Sequence, residues 1–239
     1  MLHRYRVRRE IGTGLIVWVN PKKIQYYAGS NLPYTQSIRS IVWRLETAVP
    51  LISRYTAWIH KSIYSLEPFS IKDRLLRNLI PIESEPRYTK ILNYIQNLDN
   101  LEESLWYRDI VQQIKDNGVA HHKNFELKSE ADVLNFFEGY VRDLVESMNE
   151  SGYDDTKAVD YGTALIGSDG SILKTAAGNH RFSFARILGV SLVPLEILGA
   201  HEFWMQKMEI DGDIEALASG IRRVEYINSE SSSDEVATP

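Results

Sequence analysis

From residue 104 to about 149 the apolar positions recur three or four apart, the spacing that lines one face of an α-helix. Ser104 is placed to cap a helix over residues 105–117, with Trp106, Ile110, Val111 and Ile114 inward and Gly118 as its stop. Ser129 caps another through Asn149, whose broad apolar face is Val133, Phe136, Phe137, Tyr140, Val141, Leu144, Val145 and Met148, with Gly152 ending it. The intervening VAHHKNFELK reads as a polar loop.

Upstream, residues 14–20 (GLIVWVN) form a short β-branched and aromatic run closed by Asn20-Pro21, the signature of a buried strand and turn. Residues 35–65 set Ile38, Ile41, Val42, Leu45, Val49, Ile52, Tyr55 and Ile59 at helical spacing, interrupted near Pro50, and so predict two packed helices. Residues 70–79 and 87–97 add helical stretches around Pro81 and Pro86. Residues 35–103 are therefore expected to form an α-helical insertion.

The period changes in the last third. Residues 163–167 (TALIG) and 171–175 read as strands joined through Ser168-Asp169-Gly170, a hairpin signalled by Asp-Gly. GNHRFSFARILGV follows as a buried helix, with Gly178 freeing its entry and Gly189 ending it, and residues 192–198 (LVPLEIL) supply a last strand. Residues 211–239 form a C-terminal segment whose acidic tail, from Asn228, lacks apolar periodicity and is expected to be disordered. The fold class predicted is α+β.

At 239 residues the chain has room for one elaborated domain or two small ones. The absence of cysteine removes disulfide frameworks, thiolate nucleophiles, Fe–S clusters and Cys-ligated zinc. The opening MLHRYRVRRE has no secretory apolar stretch and no uncharged 18-residue run occurs, so a soluble, cytoplasmic protein is expected. Charge is uneven: residues 1–90 hold 15 Lys and Arg against 6 Asp and Glu, and the remainder holds 12 against 26. Such a basic front could face phosphate, an anionic glycan, a peripheral membrane surface or, most plainly, the acidic remainder of the chain.

A hairpin, a glycine, the triplet Asn179-His180-Arg181 and then a helix bring main-chain N–H groups and two basic side chains to a helix start. Unpaired donors and the helix dipole favour an anion there, and Arg181 can add bidentate hydrogen bonds. The plain alternative is that His180 and Arg181 cap a neighbouring element or pair with a carboxylate.

The block ALIGSDGSILKTAAGNHRFSFARILGVSLVPLEIL resembles the core of the ParB/sulfiredoxin-like superfamily, whose strand-turn-strand leads into a Gly-x-[His/Arg]-Arg turn, an Ala-x-x-Leu-Gly helix and a Val-Pro strand. Gly178, His180, Arg181, Ala185, Leu188, Gly189, Val193 and Pro194 occupy those places. VNPKKI resembles the family's opening strand and Pro-x-x-Ile turn, and residues 105–118 its helix ending in glycine. On this resemblance residues 1–34 open the core, 35–103 interrupt it and 104–210 complete it. The ending HEFW is similar to that of ParB-like proteins found beside surface-polysaccharide genes, although Ala200 precedes His201 where arginine is common.

The resemblance implies a nucleotide pocket. Sulfiredoxin chemistry is excluded because Asn179 stands where the reacting cysteine would be, and plasmid segregation needs further domains for which the residues after Pro194 are too few. What it leaves is a nucleotide-dependent phosphotransferase using ATP or ADP, or CTP, with Mg²⁺, on a small polar or sugar acceptor in surface-glycan metabolism. Gly178, Asn179, His180 and Arg181 would hold phosphates, Lys123 beside His122 would neutralise the transferring group, and Asp160 would hold the metal or activate the acceptor. Asp169 is the weaker alternative to Asp160, since its Asp-Gly setting suits a turn residue. A non-catalytic nucleotide-sensing or protein-binding module is the second reading, and a ParB-like nuclease or DNA binder using Arg4, Arg6, Arg8, Arg9, Lys22 and Lys23 the third.

Overall fold

A computed structural model of the chain describes residues 2–29, 67–122, 125–154 and 161–230. The helix pair expected over residues 35–65 lies outside these, as do Lys123, Asp160 and the last residues of the acidic tail. The α+β class is borne out: a mixed sheet is flanked by helices.

The described sheet runs β1 (Ile16–Val19), β9 (Val193–His201), β7 (Gly162–Ile166), β8 (Ile172–Thr175), β2 (Tyr26–Gly29) and β4 (Ile80–Pro81) from edge to edge, with β3 (Ser70–Ile71) beside the end of β9. β7 and β8 form the antiparallel hairpin announced by Asp-Gly, with Leu165 opposite Leu173. β9 lies parallel to β7 and antiparallel to β1, and β2 lies parallel to β8. β8 is thus flanked on both edges, and all four of its residues are buried.

The described helices pack on the sheet and on one another. α2 (Pro86–Gln96) begins at Glu85, whose carboxylate accepts from the Tyr88 N–H at 2.9 Å. α3 (Leu105–Asn117) has the predicted limits: Ser104 accepts from the Tyr107 N–H, and Gly118 adopts φ +75° to end it. α4 (Glu130–Phe136) starts at a Ser129–Asp132 capping box, passes through a π-turn over Phe137–Val141 and continues as α5 (Arg142–Ser151). The extra residue in that turn lets Phe136 and Phe137 both face inward while Tyr140 stacks on Phe136, with ring centroids 5.7 Å apart. α6 (Asn179–Leu188) crosses from β8 towards β9, and its Phe184 meets Tyr94 of α2 and Trp106 of α3.

Arg186 joins two separated sequence blocks. Its guanidinium donates to the Pro21, Lys22 and Ile24 carbonyls at 2.7, 2.8 and 3.0 Å and pairs with Glu83, fastening the Pro21–Ile24 turn to α6. At the other end of the chain, α7 (Glu202–Lys207) and α8 (Ile214–Ser229) follow β9. α8 buries Leu217, Ile221 and Val224, and its Glu225 accepts from the Trp18 N–H at 2.8 Å, so it packs on β1 together with α1 (Arg4–Ile11).

Several elements differ from the sequence expectation. Residues 70–79 are not a helix: they give β3, a single 3-10 turn at Asp73–Leu75 and the approach to β4, because edge pairing with β9 and β2 outcompetes a marginal helical period. VAHHKNFELK supplies a small hairpin, β5 (Ala120–His122) against β6 (Phe125–Leu127), rather than a plain loop. Asn228 belongs to α8 and is buried, so the regular structure extends past the point where the tail was expected to begin.

Candidate functional site

The hairpin delivers the chain through Ala176 and Ala177 to Gly178, which holds φ +70°. A Cβ at this position would lie 2.5 Å from the Gly162 Cα and 2.9 Å from its nitrogen, so the turn rests directly on the first residue of β7. Two glycines in backbone contact are the reason that the turn can fold back under the start of α6. The intrahelical ladder begins with the Phe182 N–H donating to the Gly178 carbonyl at 3.1 Å.

Beneath the turn lies Lys174, fully buried at 0% exposure. Its ammonium donates to the Thr175 and Ala177 carbonyls and to the Asn179 side-chain oxygen at 2.9 Å, with the Thr163 carbonyl 3.4 Å away. The ring of Phe182 has its centroid 5.5 Å from the same nitrogen. Burial pushes the ammonium down to about 7, with Arg87 acting in the same direction and Glu85 opposing.

His180 and Arg181, neighbours in sequence, face different hollows. His180 borders a cleft of about 350 Å³ between α2, α3 and β5, with Arg87, Lys90, Asp109, Gln113, His121 and His122 around it. Its imidazole stacks on Trp106 at 5.4 Å between centroids with planes 21° apart, and His122 meets it edge-on at 5.2 Å. Trp106 is both core and cleft wall: 5% exposed, it also contacts Phe136, Phe137 and Phe184. Lys90 and Asp109 form an ion pair across the cleft. The remaining charged or titratable groups there are basic.

Arg181 borders a second cavity of about 210 Å³, formed with Tyr140, Asp143, Ser147 and Met148 of the π-turn and α5 and with Tyr153 and Asp154 beyond it. Adjacent residues on a helix point roughly 100° apart, which is the geometric cause of this division.

The other expected residues are placed as follows. Asn179 is 5% exposed and its side chain points inward, taking the Lys174 hydrogen bond and donating towards the Tyr27 hydroxyl at 3.4 Å, so only its main-chain N–H can serve a phosphate. His122 does join His180. Asp169 accepts from the Ser171 N–H at 2.9 Å and from its hydroxyl at 2.6 Å, which holds its carboxyl below the usual range. Its loop closes the far end of the β7–β8 hairpin, away from Gly178 by the length of a strand, about 13 Å. Asp169 therefore cannot act with His180. His201 accepts from the Phe203 N–H at 3.1 Å and caps α7.

Of the basic front, Arg4 pairs with buried Glu67, Arg6 and Arg9 with Glu10, and Arg8 with Glu196 at 2.6 Å. Arg8–Glu196, Lys72–Glu202 and Lys90–Asp109 tie the basic part to the acidic part. No described helix is long and apolar enough to cross a membrane.

Lys174, Arg87 and Lys90 were not singled out from the sequence. Lys174 follows Ile172 and Leu173 in a strand whose four residues are all buried, a lysine where a core residue belongs, and the lysine after an apolar pair was the available signal. For a nucleotide, the cleft offers aromatic surface, cations and a helix start. For Mg²⁺, the described residues form no group of three or more His, Asp or Glu suited to a metal, and Asp109 is engaged by Lys90. No protein-family model matches the chain, and neither curated proteins nor solved structures give a match.

Proposed function

We propose that the chain is a nucleotide-dependent phosphotransferase with a ParB/sulfiredoxin-like core, acting on a small polar or sugar acceptor in surface-glycan metabolism. The observation that carries this reading is the pair of hollows at one helix start, His180 facing the cation-rich cleft and Arg181 the smaller cavity. Phosphoryl transfer relies on alignment and charge stabilisation more than on covalent catalysis, and two binding spaces meeting at an anion-favouring helix end suit a donor and an acceptor.

In this reading the donor, ATP or ADP with CTP as a further candidate, lies in the Trp106 cleft. Its phosphates approach the main chain of Gly178–Arg181, and Arg87, Lys90 and the imidazole of His180 neutralise their charge. His122, packed edge-on against His180, supplies a further hydrogen-bonding group, with Lys123 following it in sequence. The acceptor occupies the Arg181 cavity, where Tyr140, Tyr153, Asp143 and Asp154 offer the ring faces and carboxylates that hydroxylated compounds favour. Mg²⁺ would supply charge neutralisation on the phosphates, with Asp160 as its proposed protein ligand.

A thermal-shift panel of ATP, ADP and CTP with magnesium is the first test. Ligand at a hundred times Kd stabilises the native state by about 2.7 kcal/mol, roughly 5–10 °C in Tm for a chain of this size. Transfer of label to candidate sugars follows, with Arg181→Ala expected to lose transfer. Absence of binding by all three nucleotides overturns the proposal.

One observation favours a non-catalytic nucleotide sensor instead: the carboxylate bordering the cleft, Asp109, is engaged by Lys90. Tight binding without turnover, together with nucleotide-dependent association with another protein, would select that reading.

A further inference from the structure

The buried lysine under the turn has no part in the scheme above, yet it holds the turn together. An ammonium has three N–H donors, and its three nearest oxygens are the carbonyls of Thr175 and Ala177 and the side-chain oxygen of Asn179, with the Thr163 carbonyl of β7 farther off at 3.4 Å. The three near acceptors run from the last residue of β8 to the first residue of α6. The neutral amine has two donors and a lone pair, so its formation leaves one oxygen unserved and sets the lone pair against it.

We infer that Lys174 is the positioning residue of the Gly178 turn, and that anion binding at the start of α6 is coupled to proton uptake by its amine. The ligand class follows from the nucleotide reading on which the coupling half rests: a phosphate-bearing compound. A negative charge at the helix start favours the ammonium below it, so binding raises its proton affinity and, by linkage, protonation raises ligand affinity. Groups facing the amine set the window. Glu85 favours its charge, Arg87 opposes it, Tyr27 lies behind Asn179, and Phe182 offers a ring face. Burial brings its titration to about 7, within reach of ordinary conditions.

His180 and His122 also border the cleft, and an imidazole that takes up a proton would likewise strengthen anion binding, so the experiment is made in a His122→Gln/His180→Gln background. ATP is the probe, titrated calorimetrically at pH 7.5 in two buffers of different ionisation enthalpy. The background protein is expected to take up several tenths of a proton more than the same protein carrying Lys174→Met. A one-unit rise in the lysine pKa on binding makes affinity about tenfold stronger well below the transition than well above it. Equal proton counts, with both proteins binding, would overturn the coupling.

A ligand-free arm separates this from failure of the nucleotide reading. Amide-exchange protection of Phe182 and Thr163, whose N–H groups donate to the Gly178 and Ala177 carbonyls, should fall between pH 6 and 8 in the background protein, and Asn179→Asp, which sets a carboxylate against the ammonium, should move that fall to higher pH. Should Lys174→Met fail to fold, this pair still decides. A pH-dependent loss of protection with no ATP binding by the wild type leaves the positioning role standing and removes the coupling along with the nucleotide reading; flat protection in both proteins removes the positioning role itself.

Discussion

Three glycines offer a controlled measurement of how tightly the Gly178 turn is seated. Gly178, Gly118 and Gly189 share nearly the same backbone, with φ of +70°, +75° and +75°, but not the same surroundings. A Cβ on Gly118 would meet nothing within 4 Å, one on Gly189 only the flexible end of Lys22 at 3.6 Å, and one on Gly178 the Gly162 Cα at 2.5 Å. Alanine at Gly118 or Gly189 therefore pays only for the left-handed conformation, about 1–2 kcal/mol. Alanine at Gly178 incurs the same penalty and must also force the turn off β7 by about 1 Å, since carbon atoms pack near 3.5–4.0 Å. That shift strains the three hydrogen bonds of Lys174, each contributing about 1 kcal/mol net, so a total loss near 4 kcal/mol is expected. This is a large share of the 5–15 kcal/mol that stabilises most domains. Urea unfolding with linear extrapolation measures all three variants on one scale. A Gly178→Ala protein within about 1 kcal/mol of Gly118→Ala, with the amides of the turn unshifted, would refute the close approach and the seating of the candidate site with it.

Four further outcomes follow from named contacts. Lys174 titrates near 7 when folded against 10.5 when unfolded, so the folded state holds fewer protons between those values and stability rises with pH across that window. Between pH 7 and 9 the wild type should gain about 2 kcal/mol relative to Lys174→Met in urea unfolding, while turn protection moves the opposite way. Ser104→Ala removes the cap on the Tyr107 N–H and should cost about 1 kcal/mol, read as a shift in urea midpoint. Arg87→Ala, at an exposed position, should weaken ATP about tenfold by calorimetry with little change in Tm, as expected for loss of a charged hydrogen bond. Truncation after Gly212 removes α8 with Leu217, Ile221 and Val224, each side chain contributing about 1.5–3 kcal/mol of burial, and should leave an unfolded chain by circular dichroism.

The sequence made the local devices legible. α3 was readable because a serine, an apolar stripe and a glycine agree on both ends, and α6 because its glycines bracket a buried face. Long-range pairing was not readable: the two-residue strands at Ser70 and Ile80 exist only because β9 and β2 run beside them. α1 was missed for another reason, since Val7 is its one buried apolar residue and buried Arg4 is held by Glu67. At the site, the turn and its histidine were visible as a motif, but the division of His180 from Arg181 depends on what packs against each side of α6. The inward turn of Asn179 was hidden because it answers a lysine whose burial follows from β8 lying between β7 and β2.

The contact between Trp18 and Glu225 spans 207 residues of chain, and it fixes an order of events during synthesis. A polypeptide leaving the ribosome from its amino end presents β1 before β9 and α8, which cover it. Until then the apolar side chains of β1 have no partner, making this short stretch the natural point for a chaperone to hold. Translation pauses that leave β1 outside the ribosome before β9 and α8 have emerged should raise aggregation, and pauses made after both have emerged should not.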